Sequence, residues 1–147
     1  MQAKPTRRTA RGIVIHGGNI LLMERWRVKD GHELHYFSIP GGGIDPGEAP
    51  EVAVVRELFE EMQVVVRPRQ LLATLRDDKG AEHNYFVCDY LSGTPKLDPH
   101  SPEAKKYAAH HNRFKPQWVT RAEFEKLELN GIYEPIRPYI HKLFAAA

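Results

Sequence analysis

Residues 37–64, FSIPGGGIDPGEAPEVAVVRELFEEMQV, join the end of a strand-like segment to a glycine loop and a helix. The strand pattern ends at Pro40, and the glycines at 41–43 permit backbone angles and close contacts that other residues prevent. Pro50 suits the first turn of a helix, and residues 51–62 contain neither glycine nor proline. The sequence therefore predicts a strand, a tight loop and a helix in succession, and the loop is the first candidate functional element.

The predicted helix carries a row of carboxylates on one side. At about 100° per residue, Glu57, Glu60 and Glu61 fall on one face, and the apolar residues Val55, Leu58, Phe59 and Met62 fall on the other. Like charges at these spacings repel one another. Arg56 can pair with Glu60 at the next turn, but one guanidinium does not neutralise three carboxylates. The face is either a divalent-cation site or a solvated acidic surface, the usual form of a charge cluster.

The type of ligand indicates which cation would bind there. Carboxylate oxygens suit Mg²⁺ or Mn²⁺ rather than Zn²⁺, because neither a thiolate nor a histidine pair at ligand spacing accompanies them. Magnesium in turn suggests phosphate, and the glycine loop can bring backbone groups close to the ion or to phosphate oxygens. Loop and helix together predict a cradle for a metal and a phosphate group.

The rest of the chain alternates strand-like and helix-like segments. Apolar, β-branched runs between turn residues predict strands, and Thr120 with Glu123 has the spacing of a capping box. The predicted strands are 11–16, 19–24, 34–39, 64–66, 71–76, 82–91 and 117–119, and the predicted helices are 51–62, 121–127 and a last one toward 144. Polar connections are expected at 25–33 and 97–112. This order predicts an α/β or α+β fold in which a mixed sheet is covered by helices.

Length and composition narrow the class of protein. The chain has 147 residues, 41% of them hydrophobic, so a single domain over residues 1–147 is expected. A formal net charge of +2 argues against a nucleic acid polymer or an anionic membrane as partner. No run has the length of a membrane span or a secretory signal, so a soluble, cytoplasmic protein is expected. The single cysteine, Cys88, lies in an apolar run that favours a buried thiol over a reactive nucleophile.

The glycine loop and the acidic helix also match a known motif in register. The Nudix box reads Gly, five residues, Glu, seven residues, then Arg-Glu-aliphatic-any-Glu-Glu-any-Gly-aliphatic. The matching positions are Gly42, Glu48, Arg56, Glu57, Leu58, Glu60, Glu61 and Val64. The chain thus resembles the Nudix hydrolases, and residues 37–42 are similar to the aromatic-x-aliphatic-Pro-Gly-Gly segment of that family. Gln63 stands where the second glycine is usual, and a left-handed backbone there would cost a glutamine about 1 kcal/mol.

The resemblance implies a fold, a cofactor and a set of roles. A Nudix-like mixed sheet between helices is expected, with Mg²⁺, or alternatively Mn²⁺, held by Glu57, Glu60, Glu61 and the backbone carbonyl of Gly41. Arg56 is expected to orient the carboxylates by salt bridging. The metal would polarise a water for attack on phosphorus while a carboxylate, with Glu57 as the first candidate, accepts the water's proton.

Further residues are candidates for the edges of the site. Glu48 is expected to support the loop, and Glu103 is either an additional metal ligand or base or an ordinary carboxylate in the first turn of a helix. The candidates for substrate binding are Gly41, Gly42, Arg25, Arg27 and Lys29 on phosphate, with Tyr36 or Trp26 stacking on a base. Solvated loop charges and half-buried aromatic side chains are the alternatives for these residues. The histidines form no zinc pattern, and no chemistry is assigned to them.

The expected function is hydrolysis of a diphosphate linkage in a nucleoside diphosphate joined to another group. Lys79 lies where an ADP-ribose subfamily would have proline, so a nucleoside triphosphate is favoured by elimination. Two alternatives stay open. One is a Nudix hydrolase of a non-nucleotide diphosphate, such as a prenyl or sugar-linked one, and the other is a nucleotide-sensing module without turnover. The sequence carries no indication of oligomeric state.

Overall fold

The computed structural model describes residues 3–97, 105 and 112–146. The strands are β1 (Arg7–His16), β2 (Asn19–Lys29), β3 (His32–Ser38), β4 (Gly41–Gly43), β5 (Val65–Arg76), β6 (Ala81–Ser92) and β7 (Arg113–Thr120). The helices are α1 (Pro50–Met62), α2 (Arg121–Lys126), a 3-10 helix (Gly131–Ile136) and α3 (Arg137–Ala146). The excursion predicted at 97–112, with Glu103, lies almost wholly outside the described residues.

The strands form a mixed sheet whose order is β3-β2-β1-β6-β5, with β7 paired to β2 and β4 paired to β1. The pairing of β1 with β6 is parallel, and the other pairings are antiparallel. Only the last residues of β1, Ile15 and His16, pair with β2, whereas its first half lies between β6 and β4. The two ends of β1 therefore have different neighbours, and the short β4 pairs with residues 9–11 in its first half.

Helices cover the sheet on both faces. On one face, α1 contributes Val54, Leu58 and Met62 to a core that includes Leu21 and Met23 of β2. On the other face, α2, the 3-10 helix and α3 pack against alternate residues of β1 and β2; their buried side chains are Phe124, Tyr133, Ile136, Ile140 and Phe144. The predicted mixed sheet between helices is confirmed, and the fold is α+β. None of the helices in the described part of the chain is long and apolar enough to cross a membrane.

The predicted hairpin of β1 and β2 is confirmed, but the predicted connection at 25–33 is wrong. β2 continues to Lys29, and β3 begins at His32 after a turn in which Asp30 and Gly31 have φ angles of 53° and 74°. Asp-Gly with two left-handed residues is a common two-residue hairpin turn. The segment is polar because this hairpin exposes its side chains to solvent, so polarity here did not indicate a loop.

A second difference concerns residues 64–76, where two short strands were expected. The structure has one strand, β5, with register shifts against β6 at three places, one of them between Pro68 and Gln70. In the sheet order β5 is an edge strand. A proline is tolerated at an edge because no second neighbour requires its missing N–H. Bulges therefore keep the chain paired where the sequence pattern is interrupted.

The residue that follows α1, Gln63, has the left-handed conformation that is usual where the family has its second glycine. Gln63 has φ 59° and ψ 33°, which is left-handed, and its backbone N–H donates to the carbonyl of Phe59. This geometry closes the helix and turns the chain toward β5. A glutamine adopts it at a cost that glycine would not have.

Gln63→Gly is therefore expected to stabilise the fold by about 0.5–1 kcal/mol, the relief of left-handed strain less the added flexibility of the unfolded chain. Urea unfolding of the variant beside wild type measures the difference. Gln63→Ala keeps the strain and is the matched control, with little change expected. A glycine variant no more stable than the alanine variant would contradict the strain assigned to Gln63.

Candidate active site

The glycine loop packs tightly between β1 and α1. Gly41 has φ 147°, and a Cβ at this position would lie 2.2 Å from the carbonyl oxygen of Ala10. A Cβ at Gly42 would lie 2.5 Å from Oε2 of Glu57. These distances are too short for any side chain, so the close approaches expected of the glycines are present. The loop can lie against the carboxylates of α1 only because it carries no side chains here.

The helix periodicity brings two of the three predicted carboxylates to this loop. Glu57 and Glu61, one turn apart, are only 9% and 4% exposed, whereas the side chain of Glu60 is 58% exposed. Oε2 of Glu61 accepts a hydrogen bond of 3.2 Å from the backbone N–H of Gly41. Its Oε1 lies 3.4 Å from Nη2 of Arg25 on β2. The acidic face is thus not simply a solvated surface, because two of its carboxylates are buried under the loop.

Arg56 ties the loop to the acidic face. Its Nε and Nη2 donate to the two carboxylate oxygens of Glu48 at 2.7 and 2.8 Å, and Nη2 also donates to the carbonyl of Gly43 at 3.0 Å. Its Nη1 donates to Glu57 at 3.0 Å and to Glu60 at 3.1 Å. A guanidinium suits this arrangement because its planar fork binds a carboxylate with two parallel bonds. Arg56 therefore fixes both ends of the segment between β4 and α1.

The contact between Arg56 and Glu48 has a consequence at acid pH. Hydrogen bonds from Arg56 lower the pKa of Glu48 from 4.5 to about 2. A lowered folded-state pKa adds stability above the unfolded value, and this is lost as the pH falls through the folded value. The difference in unfolding free energy between wild type and Glu48→Gln is therefore expected to be constant down to about pH 5 and to shrink between about pH 4.5 and 2.

Urea unfolding at a series of pH values measures this difference. The matched control is the same comparison in an Arg56→Gln background, where the pH-dependent part should largely disappear because the partner is gone. A difference that persists unchanged at pH values near 2 would contradict the Glu48–Arg56 coupling.

Beside the loop lies a cavity of about 260 Å³ with strongly cationic walls. Its lining residues are Arg7, Arg11, Arg25, Arg27, Tyr36, Ser38, Gly41, Gly42, Gly43, Glu57, Asn130, Ile132 and Tyr133. Four of these are arginines and one, Glu57, is a carboxylate. All the residues predicted to bind substrate except Lys29 and Trp26 border it. The walls therefore suit an anion that reaches the carboxylates of α1.

Strand alternation explains which aromatic side chain reaches the cavity. Tyr36 lies opposite Arg25 on the cavity face, and its hydroxyl accepts a bond of 3.4 Å from Arg27. Trp26 points to the other face, where it stacks on His35 at 5.2 Å between ring centroids and lies under Arg113. Successive residues of a strand point to opposite faces. Of the two rings considered for stacking on a base, the structure therefore brings only Tyr36 to the cavity.

The carboxylates are not preassembled as a metal cage. Among residues 3–97, 105 and 112–146, no group of three or more His, Cys, Asp or Glu side chains is arranged to hold a metal ion. Arg56 bonds to Glu57 and Glu60, which draws Glu60 to the outer side of the helix. Two buried carboxylates against a glycine backbone nonetheless fit a hard cation, because they supply oxygen donors that no bulky side chain screens. The fit rests on Glu57 and Glu61, whereas Glu60 is exposed and bonded to Arg56.

Cys88 behaves as its sequence context predicted. It is buried on β6, and burial raises the pKa of its thiol to about 12. A thiol in this state is almost entirely protonated at neutral pH and is a poor nucleophile. The residue is therefore part of the core beneath α1.

The family that matches this chain agrees with the loop and helix geometry. The NUDIX domain family matches residues 6–141, from β1 into α3. The chain belongs to the NUDIX domain family. The Nudix box of this member runs from the glycine loop through α1, and it includes every residue that Arg56 binds.

Known relatives resemble this Nudix chain over parts of their length. An RNA pyrophosphohydrolase from Proteus mirabilis is 46% identical over 43 residues, 29% of this chain and 24% of the relative. An ADP-ribose pyrophosphatase from Methanocaldococcus jannaschii is 32% identical over 99 residues, 64% of this chain and 57% of the relative. A MutT NUDIX hydrolase from Burkholderia pseudomallei shares the fold with a TM-score of 0.65 and 19% identity, covering 92% of this chain and 95% of that one. The matches thus span less than two thirds of the two relatives' lengths.

Six cavity residues of this Nudix chain were not among the predicted site residues. They are Arg7, Arg11, Ser38, Asn130, Ile132 and Tyr133. Arg11 had a recognisable signal, because it is a charged residue at the start of the apolar run 11–15 and is only 6% exposed. Asn130 and Tyr133 come from the far end of the chain, and no local pattern could place them beside the box. Their position follows from the packing of the 3-10 helix on the sheet.

Proposed function

We propose that this protein is a divalent-metal-dependent Nudix hydrolase of one domain that cleaves a diphosphate linkage in a small nucleotide, with a nucleoside triphosphate as the favoured substrate. The main support for this proposal is the position of the glycine loop beside the cavity. The glycine loop holds two buried carboxylates of α1 at the edge of a cavity that is lined by four arginines. Carboxylates suit a metal ion and arginines suit phosphate groups, so the proposed metal site and the proposed phosphate site lie side by side.

Glu57, Glu61 and the backbone carbonyl of Gly41 are the proposed metal ligands, and Glu60 completes the set. The metal is Mg²⁺, with Mn²⁺ as the alternative. When bound, such an ion neutralises diphosphate oxygens and polarises a water. This assignment is supported by the burial of Glu57 and Glu61 and by the oxygen-only donor set.

The other site residues are proposed to bind the substrate or to orient the carboxylates. Glu57 borders the cavity and is the proposed base that accepts the proton of the attacking water. Arg56 holds Glu57 and Glu60 in place from the outer side. Arg25 and Arg27 are proposed to bind phosphate oxygens, and Tyr36 to stack on the base, because all three border the cavity.

The charge of the cavity supports the choice of substrate. Among the described residues its lining carries four arginines and one carboxylate, and Arg25 also pairs with Glu61, so these walls keep a net positive charge. A nucleoside triphosphate carries more negative charge than a diphosphate diester such as ADP-ribose, so it compensates these walls more completely. The relatives named for RNA and ADP-ribose are the reason to include a 5′-triphosphorylated RNA and ADP-ribose among the substrates tested.

Chromatographic detection of the cleaved products of a panel of compounds tests the proposal, because nucleotide sugars, ADP-ribose and dinucleoside polyphosphates yield phosphate esters rather than free phosphate or pyrophosphate. The panel contains nucleoside triphosphates, nucleotide sugars, ADP-ribose, dinucleoside polyphosphates, a prenyl diphosphate and a 5′-triphosphorylated RNA, each with Mg²⁺ and with EDTA. Turnover that requires Mg²⁺ and is fastest for a nucleoside triphosphate is the expected result. Fastest turnover of the prenyl diphosphate would support the non-nucleotide alternative. Nucleotide binding without turnover of any compound by folded protein would support the sensing module.

A further inference from the structure

A buried polar chain runs from the turn after β5 to the wall of the cavity. His83 on β6 is 2% exposed, and its Nε2 lies 2.9 Å from Oδ2 of Asp77. Its Nδ1 lies 2.7 Å from the hydroxyl of Thr9 and 3.4 Å from Nε of Arg11. Because an arginine nitrogen only donates, Nδ1 must accept from Arg11, and the imidazole proton therefore sits on Nε2 and is donated to Asp77.

Arg11 is held by neutral groups on its remaining sides. Its Nη1 donates to the carbonyl of Ile39 at 3.0 Å, and its guanidinium carbon lies 4.6 Å from the centre of the Tyr133 ring. The residue is 6% exposed, and it has no salt bridge to a carboxylate among the residues that the structure describes. The direct contacts of this buried charge are with dipoles and a ring face, and the Asp77 carboxylate lies beyond His83. A buried charge without a carboxylate in direct contact is costly to maintain.

Arg11 is also among the residues that border the cavity with Glu57 and the glycine loop. An arginine that lacks a counter-ion and faces a cavity is suited to bind an anion with its planar fork of donors. We propose that Arg11 is a substrate-binding residue that takes phosphate oxygens in the cavity, and that His83, backed by Asp77, positions it. This inference rests on the proposed function, since it assigns Arg11 to the anionic part of the same substrate.

The arrangement separates the two roles. Arg11 contacts the substrate, whereas His83 and Asp77 act through Arg11. Nδ1 of His83 accepts from Nε of Arg11 and so orients the guanidinium. Asp77 accepts the proton on Nε2 and so keeps the imidazole in the tautomer whose Nδ1 can accept. The alternative is that Arg11 only fastens β1 to the end of β3 through Ile39, in which case its charge has no ligand.

Binding of inorganic tripolyphosphate distinguishes these roles. Isothermal titration calorimetry is done in EDTA, at one ionic strength, on wild type, Arg11→Met and Arg8→Met. Arg8 lies on the same strand, pairs with Glu82 and does not line the cavity, so its variant removes an equal charge elsewhere. We expect Arg11→Met to weaken binding at least about tenfold, as for loss of charge-assisted hydrogen bonds, and Arg8→Met to change it less than about twofold.

The positioning role is tested with two variants of His83. His83→Leu removes the acceptor and is expected to weaken binding about threefold or more, while His83→Gln, whose amide can accept from Arg11 and donate to Asp77, is expected to restore most of it. With a hydrolysed substrate, the same loss should appear in KM, with kcat changed less than about threefold. Loss of kcat alone, or no rescue by glutamine, would overturn the positioning role.

Thermal unfolding confirms that each variant is folded. If Arg11→Met does not fold, Arg11→Lys replaces it, because lysine keeps the charge but has a single nitrogen in place of the separate nitrogens that bond to His83 and Ile39. Equal tripolyphosphate affinity of wild type and the Arg11 variant, or no binding by wild type, would overturn the proposal. Since no metal and no turnover are involved, an absence of hydrolysis across the substrate panel would defeat the proposed function without deciding the role of Arg11.

Discussion

Replacing Glu57 by glutamine is expected to lower kcat for Mg²⁺-dependent hydrolysis at least about a hundredfold, roughly 2.7 kcal/mol of barrier. Glu57 borders the cavity and is the only carboxylate in its lining among the residues that the structure describes. The substitution keeps the size of the side chain while it removes the charge of a proposed metal ligand and the proposed base. Steady-state kinetics on the best substrate of the panel measures the loss.

Glu51→Gln is the matched control for this prediction. Glu51 is exposed in the first turn of α1, away from the loop, so the same chemical change there is expected to leave kcat within about twofold. Glu61→Gln is expected to reduce kcat as Glu57→Gln does, because Glu61 is buried at the N–H of Gly41. Full activity of both buried-site variants would contradict the roles assigned to α1.

Substituting alanine for Gly41 is expected to lower the free energy of unfolding by about 3 kcal/mol or more. The new Cβ would lie 2.2 Å from the carbonyl oxygen of Ala10 and 2.7 Å from Cα of Arg11, and both are backbone atoms that no side-chain rotation can move away. The φ of 147° adds strain for any residue with a side chain. Urea unfolding gives the value directly.

Two other glycines show whether the effect is local. At Gly131 a Cβ would meet nothing within 4 Å, so Gly131→Ala is expected to change stability by less than about 0.5 kcal/mol. At Gly42 the Cβ would meet the flexible end of Glu57, so Gly42→Ala should displace the carboxylate and reduce activity more than stability. A Gly41→Ala protein as stable as Gly131→Ala would contradict the close packing of the loop on β1.

Predictions from the sequence were correct for features that depend on residues close together in the chain. The helix over α1, the capping box of Thr120 and Glu123, and the left-handed residue at Gln63 all depend on neighbours a few residues away, and the structure has each of them. Burial of Glu57 and Glu61 beside an exposed Glu60 was not predictable, because helix periodicity places all three on one face. The loop that covers two of them decides which are buried.

The parts that were missed depend on contacts between distant segments. β4 consists of three glycines and has no strand pattern; it exists because β1 presents a free edge beside it. The cavity combines Arg11 of β1, Arg25 of β2 and Tyr133 of the 3-10 helix, which only the packed fold brings together. The exposure of Phe59 could not be predicted either. It lies on the apolar side of the predicted helix, yet it is 55% exposed.

Mn²⁺ binding to metal-free protein, followed by electron paramagnetic resonance, shows whether α1 holds a metal ion even though Arg56 bonds to two of the proposed ligands and no metal cage is preassembled in the described residues. We expect wild type and Glu51→Gln to bind Mn²⁺ with similar affinity, and Glu57→Gln and Glu61→Gln each to bind at least about tenfold more weakly. Binding unaffected by either buried-site variant, or no Mn²⁺ binding by folded wild type at millimolar metal, would contradict this expectation.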